Sequence, residues 1–309
     1  MSRPSPFFRA IPVSADIGNA IRGRRFWMQV TIGVPLGLMA ASVAGLTQVG
    51  IAYAWQDAGS FSDALATPWP GQPIGMILQI FAAIAVMWLV AVKMGDRPLY
   101  EFGRAGALKE FSSGATVGFI IIGSSVLMMW LLGVYHVEEI TLGRGLLMAL
   151  LLGLGSAFGE EVVLRGILLR LLVIKFNVAT GLIATSAIFG LLHLGNPDAS
   201  MLGAVGIALQ AGVLFGLAYL LTGRLWMAIG IHAAWNFTQA GIFGFNVSGV
   251  PVEPGLLVSH TSGPAWLSGG GTGVEGSVVT ILIACTAAIL VFLYARHKNV
   301  RNAHAGESN

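Results

Sequence analysis

The chain has 309 residues, of which 55% are hydrophobic and only 10% are charged, against about 25% charged residues in an ordinary soluble domain. So few charges would leave the surface of a soluble globule uncovered, and so many apolar residues exclude a disordered chain. The formal net charge of +3 is small and indicates no nucleic-acid partner. The composition predicts an all-α fold, a polytopic helical bundle that spans a membrane.

Eight segments are apolar and long enough to cross a bilayer, which takes an α-helix of roughly 20 residues. In chain order, these predicted transmembrane helices lie at about 27–53, 74–94, 114–134, 145–172, 177–194, 201–222, 225–246 and 277–295. They place the bundle at 27–295, an N-terminal tail at 1–26 and a C-terminal tail at 296–309. Glycine pairs four residues apart, such as Gly114 and Gly118, are typical of helices that pack closely in lipid.

Lysine and arginine are distributed unevenly between the segments that connect these spans. The N-terminal tail has five arginines and segment 93–112 has four basic residues, whereas segments 54–73 and 247–276 have none. Because cytoplasmic segments carry the excess of basic residues, the alternation predicts that both termini are cytoplasmic. Segment 247–276, which is rich in Gly, Pro and Ser, predicts a flexible external loop.

Ionisable side chains inside a membrane span are costly, and they indicate a functional site. Here they concentrate in the fourth, fifth and seventh predicted spans. The three stretches are Gly159-Glu160-Glu161-Val162-Val163-Leu164-Arg165, Phe189-Gly190-Leu191-Leu192-His193 and His232-Ala233-Ala234-Trp235-Asn236.

Helix geometry separates the two glutamates of the first stretch. Glu161 and Arg165 are four residues apart and share a face, so we expect a buried ion pair between them that supports the helix. Glu160 lies about 100° around the helix from Glu161 and is not the natural partner of that arginine. A carboxylate left without a cation in a span is suited to act as a general base or acid.

The other two stretches place a second pair of groups on helix faces. His232 and Asn236 share a face, where an imidazole and an amide would both donate hydrogen bonds to a developing oxyanion. Phe189 lies one turn before His193 and is expected to pack against its ring. Each residue taken alone also has a structural interpretation, as a core histidine or as a hydrogen bond between helices. The combination of a glutamate with two histidines favours a functional site.

The same residues would form a metal site in an alternative interpretation. Glu160, His193 and His232 provide one carboxylate and two imidazoles, a set that binds zinc and leaves a position for water. The His-Glu-x-x-His spacing of zinc proteases is absent, however.

The positions of the two histidines along their predicted spans raise one difficulty for a site that contains both. If both helices cross the whole membrane, His193 lies roughly 25 Å from the inner end of its span and His232 roughly 10 Å from its own. The two can meet only if one helix is broken, short or strongly tilted.

The three stretches resemble the signatures of the CPBP family, named for CAAX proteases and bacteriocin-processing enzymes: Glu-Glu-x-x-x-Arg, Phe-x-x-x-His and His-x-x-x-Asn. They occur in order on separate spans, and the resemblance covers about 145–245. It implies an intramembrane endopeptidase in which Glu160 and His193 activate a water molecule and His232 and Asn236 form an oxyanion hole. The second glutamate and the arginine of the first motif would support this site.

The resemblance leaves the cofactor and the substrate open. The family was long regarded as metalloproteases, and later views favour a glutamate mechanism without a metal. We favour no cofactor, with zinc as the alternative, because a Glu–His pair and a His–Asn donor pair already fill the roles that peptide hydrolysis needs. The expected partners are membrane lipids and a peptide or protein substrate, either lipidated or unmodified, and the expected location is a bacterial plasma (inner) membrane.

Two functions of other classes compete with this interpretation. One is a non-enzymatic immunity or scaffold protein of the membrane. The complete set of acid–base and oxyanion residues counts against this function. The other is a proton-coupled transporter that uses Glu160 and the histidines as a relay. The sequence contains no visible repeat of the kind that transporters have, which counts against it.

Overall fold

The computed structural model describes residues 24–60, 63–64 and 69–307, and the side chains among them up to residue 297. Nearly all of the predicted N-terminal tail lies outside the described residues. The helices are α1 (Arg24–Met28, Gln29–Gly33 and Val34–Ala41), α2 (Val43–Trp55), α3 (Gly71–Met94), α4 (Ala107–Leu131), α5 (Gly145–Lys175), α6 (Val178–His193), α7 (Met201–Thr222), α8 (Trp226–Phe237 and Thr238–Ile242), α9 (Ala265–Ser268) and α10 (Val278–Glu307). Short 3-10 helices lie at Tyr100–Phe102, Gly270–Thr272 and Val274–Gly276.

Within the described part of the chain, five helices are long and apolar enough to cross a membrane, namely α3, α4, α5, α7 and the first part of α10. A sixth span results if α1 and α2, which meet at a bend of 47°, cross together. Two predicted spans are shorter than expected, since α6 has 16 residues and α8 has 12 α-helical residues followed by 5 π-helical ones. The chain is a multi-pass helical membrane protein, whereas the count of eight spans and the cytoplasmic position of both termini stay predictions.

Close helix packing places α8 in the middle of the bundle. A Cβ atom added at Gly114 would lie 2.2 Å from the carbonyl oxygen of Met227, and one at Gly118 would lie 2.4 Å from that of Ile231. Gly230 gives α4 the same close approach in return, with 2.2 Å to the carbonyl oxygen of Phe111. The glycine pair of α4 is therefore a helix-packing site, as its spacing predicts, and it lets a short apolar helix be buried by protein on both sides.

The all-α prediction was incomplete, because two strands form an antiparallel ribbon. Strand β1 (Tyr135–Ile140) pairs with β2 (Leu257–Thr261), with a bulge between Val137 and Glu139. The ribbon escaped prediction because its strands are short, half exposed and separated by more than a hundred residues, so neither shows a long alternating pattern.

Segment 247–276 also differs from the flexible loop that its composition predicted. It contains β2, α9 and two 3-10 helices, and it returns to the bundle. A Cβ atom at Gly255 would lie 2.1 Å from the carbonyl oxygen of Gly241, and Gly273, at φ +92°, approaches Asn246 as closely. Several glycines of this segment thus permit close backbone packing, which composition alone does not distinguish from chain flexibility.

The predicted topology can be tested with single cysteines introduced after replacing Cys285 by alanine. An impermeant maleimide should label Ser60→Cys and His260→Cys in intact cells, because both positions lie in segments without basic residues. It should label Arg104→Cys only after permeabilisation. Labelling of Arg104→Cys in intact cells would overturn the eight-span topology.

Candidate active site

Helices α5, α6 and α8 converge on one cavity of about 260 Å³. Its lining includes Glu160 of α5, Phe189 and His193 of α6, and His232 and Asn236 of α8. The four side chains that the sequence predicts as catalytic therefore share a cavity, although they come from three separate helices. Most of the remaining lining is apolar, with leucine, isoleucine, valine and phenylalanine side chains.

His193 and His232 line the same cavity despite the difference in depth that the sequence arithmetic gives. His193 is the last residue of α6, and His232 lies in the middle of the α-helical part of α8. The arithmetic treated each apolar segment as one helix that crosses the whole membrane. The 16 residues of α6 are fewer than the roughly 20 that a crossing takes, and a short helix is one of the conditions under which the two histidines can meet.

A buried network behind the cavity is centred on Glu161. Arg165 donates from Nη1 to Glu161 Oε1 at 2.8 Å, and the two side chains are only 1% and 0% exposed. This is the ion pair that their spacing predicts. His232 donates from Nδ1 to the same oxygen at 2.9 Å, a contact that the sequence did not reveal because the residues are 71 positions apart.

Arg165 also connects α5 to α7. Its Nη2 donates to the carbonyl oxygens of Ala211 and Gly212, at 3.1 and 3.2 Å. Its guanidinium lies over the rings of Phe189 and Phe215, with 4.8 and 5.4 Å to the ring centroids. The arginine stands in one π-helical segment, Val162–Leu169, and its carbonyl acceptors belong to another, Ala208–Gly212. Such segments recur at functional sites in helices.

Glu160 points away from this network and towards the cavity. Its side chain is 31% exposed, in contrast to the fully buried Glu161. The nearest ionisable contact of Oε2 is His232 Nε2, at 3.8 Å, and Oε2 accepts no hydrogen bond from the protein. The two glutamates point to different sides of the helix. Glu161 is therefore enclosed by protein, and Glu160 is accessible from the cavity.

Phe189 lies next to both imidazole rings. His193 donates from Nδ1 to the carbonyl oxygen of Phe189 at 2.7 Å, which leaves its Nε2 for the cavity. The Phe189 ring contacts the His193 ring edge to face, with 4.6 Å between centroids, as the spacing predicts. It also lies 6.1 Å from the ring of His232, whose other side packs on Phe215 at 5.0 Å.

Two neighbours fix the side-chain amide of Asn236. Its Nδ2 donates to Ser156 Oγ at 3.0 Å, and its Oδ1 accepts a hydrogen bond from Gln239 at 3.3 Å. Ser156 in turn donates to the carbonyl oxygen of Leu152 at 2.7 Å. These contacts leave Asn236 one N–H for the cavity. The sequence analysis missed Ser156, although its position one turn before Glu160 would have placed it on the same helix face.

The structure also adds a carboxylate that the sequence analysis did not single out. Glu275 lies in segment 247–276, is 3% exposed and lines the cavity. Trp235 donates from Nε1 to its Oε1 at 2.7 Å, and Ser248 donates from Oγ to its Oε2 at 2.6 Å. A glutamate in a glycine-rich connecting segment gives no sequence signal, because only ionisable residues inside spans were unusual.

The alternative zinc set consists of Glu160, His193 and His232, which line the same cavity. Within residues 24–60, 63–64 and 69–307, no group of three His, Cys, Asp or Glu side chains is arranged closely enough to hold a metal ion. The Nδ1 atoms of both imidazoles donate to protein acceptors, as the second nitrogen of a metal-ligating histidine also does.

Residues 142–238 match the family model described as Rce1-like, type II CAAX prenyl endopeptidase. The matched segment contains α5 to α7, the α-helical part of α8 and all three motifs, and it confirms the resemblance to the CAAX protease (CPBP) family. No curated protein and no solved structure matches the chain. Helices α1 to α4, α9 and α10 and the whole of segment 247–276, which carries Glu275, lie outside the match.

Loss of the buried carboxylate should lower the stability of the protein. Glu161→Gln leaves the Arg165 guanidinium buried without its counter-charge, and breaking such a pair costs about 3–5 kcal/mol. Thermal unfolding of the purified protein, followed by tryptophan fluorescence, should show a lower Tm. The matched control is Glu253→Gln, which breaks an exposed pair with Arg144 and should change stability by less than about 1 kcal/mol. Equal changes in Tm for the two substitutions would contradict the assignment of Glu161 as the buried counter-charge of Arg165.

Proposed function

We propose that the chain is an intramembrane endopeptidase that hydrolyses a peptide bond with water activated by Glu160 and His193. The family match supports a protease. The observation that carries the specific proposal is the cavity itself, in which an accessible carboxylate, two oriented imidazoles and a fixed amide face the same space. We further propose a peptide or protein substrate, prenylated or unmodified, and a location in a bacterial plasma membrane.

The first step is the activation of water. The Glu160 side chain is 31% exposed and lines the cavity, and His193 presents Nε2, so a water molecule between them would meet two acceptors. Glu160 takes the proton as the oxygen attacks the carbonyl carbon. The carbonyl π bond breaks, and its electrons become the oxyanion of a tetrahedral intermediate. The oxyanion then re-forms the carbonyl as the C–N bond breaks, and Glu160 returns its proton to the leaving amine.

The second step is stabilisation of the oxyanion by His232 and Asn236. Asn236 provides its remaining Nδ2 hydrogen. Because Glu161 accepts the hydrogen bond from His232 Nδ1, the Nε2 atom of that ring donates only when the imidazole carries both protons. Two carboxylates flank the ring, Glu161 at 2.9 Å from Nδ1 and Glu160 at 3.8 Å from Nε2. In the doubly protonated form, His232 would bring a positive charge as well as a donor to the oxyanion.

Removal of the base should have a larger effect than removal of an oxyanion donor. Glu160→Gln and His193→Ala should abolish cleavage of a quenched fluorescent peptide library, because proton transfer and water positioning both fail. Asn236→Ala should keep a measurable rate, lower by about 10²–10³-fold. Glu138→Gln, which changes an exposed glutamate of β1, should retain the wild-type rate. Near wild-type turnover of Glu160→Gln would reject the mechanism.

Metal content separates this mechanism from the zinc alternative. With water activated by Glu160 and His193, a strong chelator should leave the activity of the purified protein almost unchanged, and elemental analysis should find metal below one equivalent per chain. If zinc is essential, the Ala variants of Glu160, His193 and His232 should each lose bound metal. One tightly bound zinc per chain, lost in parallel with activity and restored with it, would establish the alternative.

A further inference from the structure

The cavity contains a carboxylate for which the proposed reaction has no use. Glu275 is buried, lines the cavity together with the predicted catalytic residues, and comes from segment 247–276 rather than from any of the motifs. Its two hydrogen-bond donors, the indole of Trp235 and the hydroxyl of Ser248, are both neutral groups. Among the side chains that the structure describes, no lysine, arginine or histidine forms an ion pair with Glu275.

Both carboxyl oxygens of Glu275 accept a hydrogen bond. The indole N–H of Trp235 can only donate, so Oε1 acts as an acceptor. The 2.6 Å distance from Ser248 Oγ to Oε2 lies in the range of about 2.5–2.7 Å that hydroxyl donors adopt towards a charged oxygen. A carboxylate offers about four acceptor positions, and these two donors occupy only half of them.

The charges around the cavity leave this carboxylate uncompensated. Arg165 and Glu161 neutralise each other behind the wall, and a protonated His232 has Glu160 within 3.8 Å of its Nε2. Within the described part of the chain, no lysine or arginine lines the cavity. A buried carboxylate without a cation is costly, so the arrangement favours a ligand that brings a positive charge.

We propose that Glu275 is the counterion for a cationic side chain, lysine or arginine, of the bound peptide. The proposal rests on the proposed endopeptidase function and adds a selection rule to it. The positive group would take the acceptor positions of Glu275 that Trp235 and Ser248 leave open. Trp235 precedes Asn236 in α8, so the selected side chain would lie close in sequence to the scissile bond. An acidic side chain at that position would be repelled.

The test compares peptides that differ at one position. Quenched peptides carry lysine, methionine or glutamate at each position on either side of the scissile bond in turn. At one position, wild-type kcat/KM should be at least about tenfold higher for lysine than for methionine, because hydrogen bonds to charged groups contribute about 1.5–3 kcal/mol. Glu275→Gln should bring this ratio close to one, mainly through KM. Glu253→Gln, an exposed carboxylate of the same segment, should leave the ratio unchanged.

The outcomes separate this proposal from the proposed function. A wild-type ratio near or below one at every position would overturn it, as would a ratio that Glu275→Gln does not change. If Glu275→Gln fails to fold, Glu275→Asp should keep a preference for lysine, and its loss would contradict the proposal. If the wild-type protein cleaves no peptide, the function fails. Binding of fluorescent lysine and methionine peptides to the wild-type and variant proteins then decides whether Glu275 selects a cation.

Discussion

The carboxylate of Glu161 is enclosed by protein, and one of its oxygens accepts hydrogen bonds from both Arg165 and His232. This shared acceptor connects α5 to α8, and the remaining donors of Arg165 extend the connection to the carbonyl oxygens of α7. A charge pair buried in this way contributes little net stability, but losing one partner is costly. The network therefore acts as a constraint on geometry. It fixes the ring of His232, and with it the nitrogen that faces the cavity.

That constraint depends on backbones that approach closely on both sides of α8. On one side are the glycines of α4, and on the other a Cβ atom at Gly153 of α5 would lie 2.6 Å from the carbonyl oxygen of Ala233. In a membrane, where apolar burial between helices gives little driving force, such contacts are a principal source of helix association. They allow α8 to bring His232 and Asn236 against α5. The close approach of α8 to α5 thus contributes to bringing its polar residues to the cavity that His193 also lines.

The sequence predicted the contacts that lie within one helical turn. The Glu161–Arg165 pair and the packing of Phe189 on His193 follow from helix periodicity alone, and both are present. Contacts between distant segments were not predictable, because spacing says nothing about which helices are neighbours. The bond from His232 to Glu161, the ribbon of β1 and β2, and the entry of Glu275 into the cavity are all of this kind. Hydropathy likewise measures apolar length and does not distinguish burial by protein from burial by lipid, so the count of eight spans stays a prediction.

The cavity is built by two parts of the chain with different roles. Helices α5 to α8, which the family model matches, supply the groups that the proposed chemistry requires. Segment 247–276, wholly outside the match, supplies Ser248 and Glu275, and the latter accepts a hydrogen bond from the indole of Trp235 on α8. Strand β2, which pairs with β1, belongs to the same segment. A wall outside the motifs can differ while the reacting groups stay the same, so the proposed selection by Glu275 would be independent of the residues that carry out the reaction.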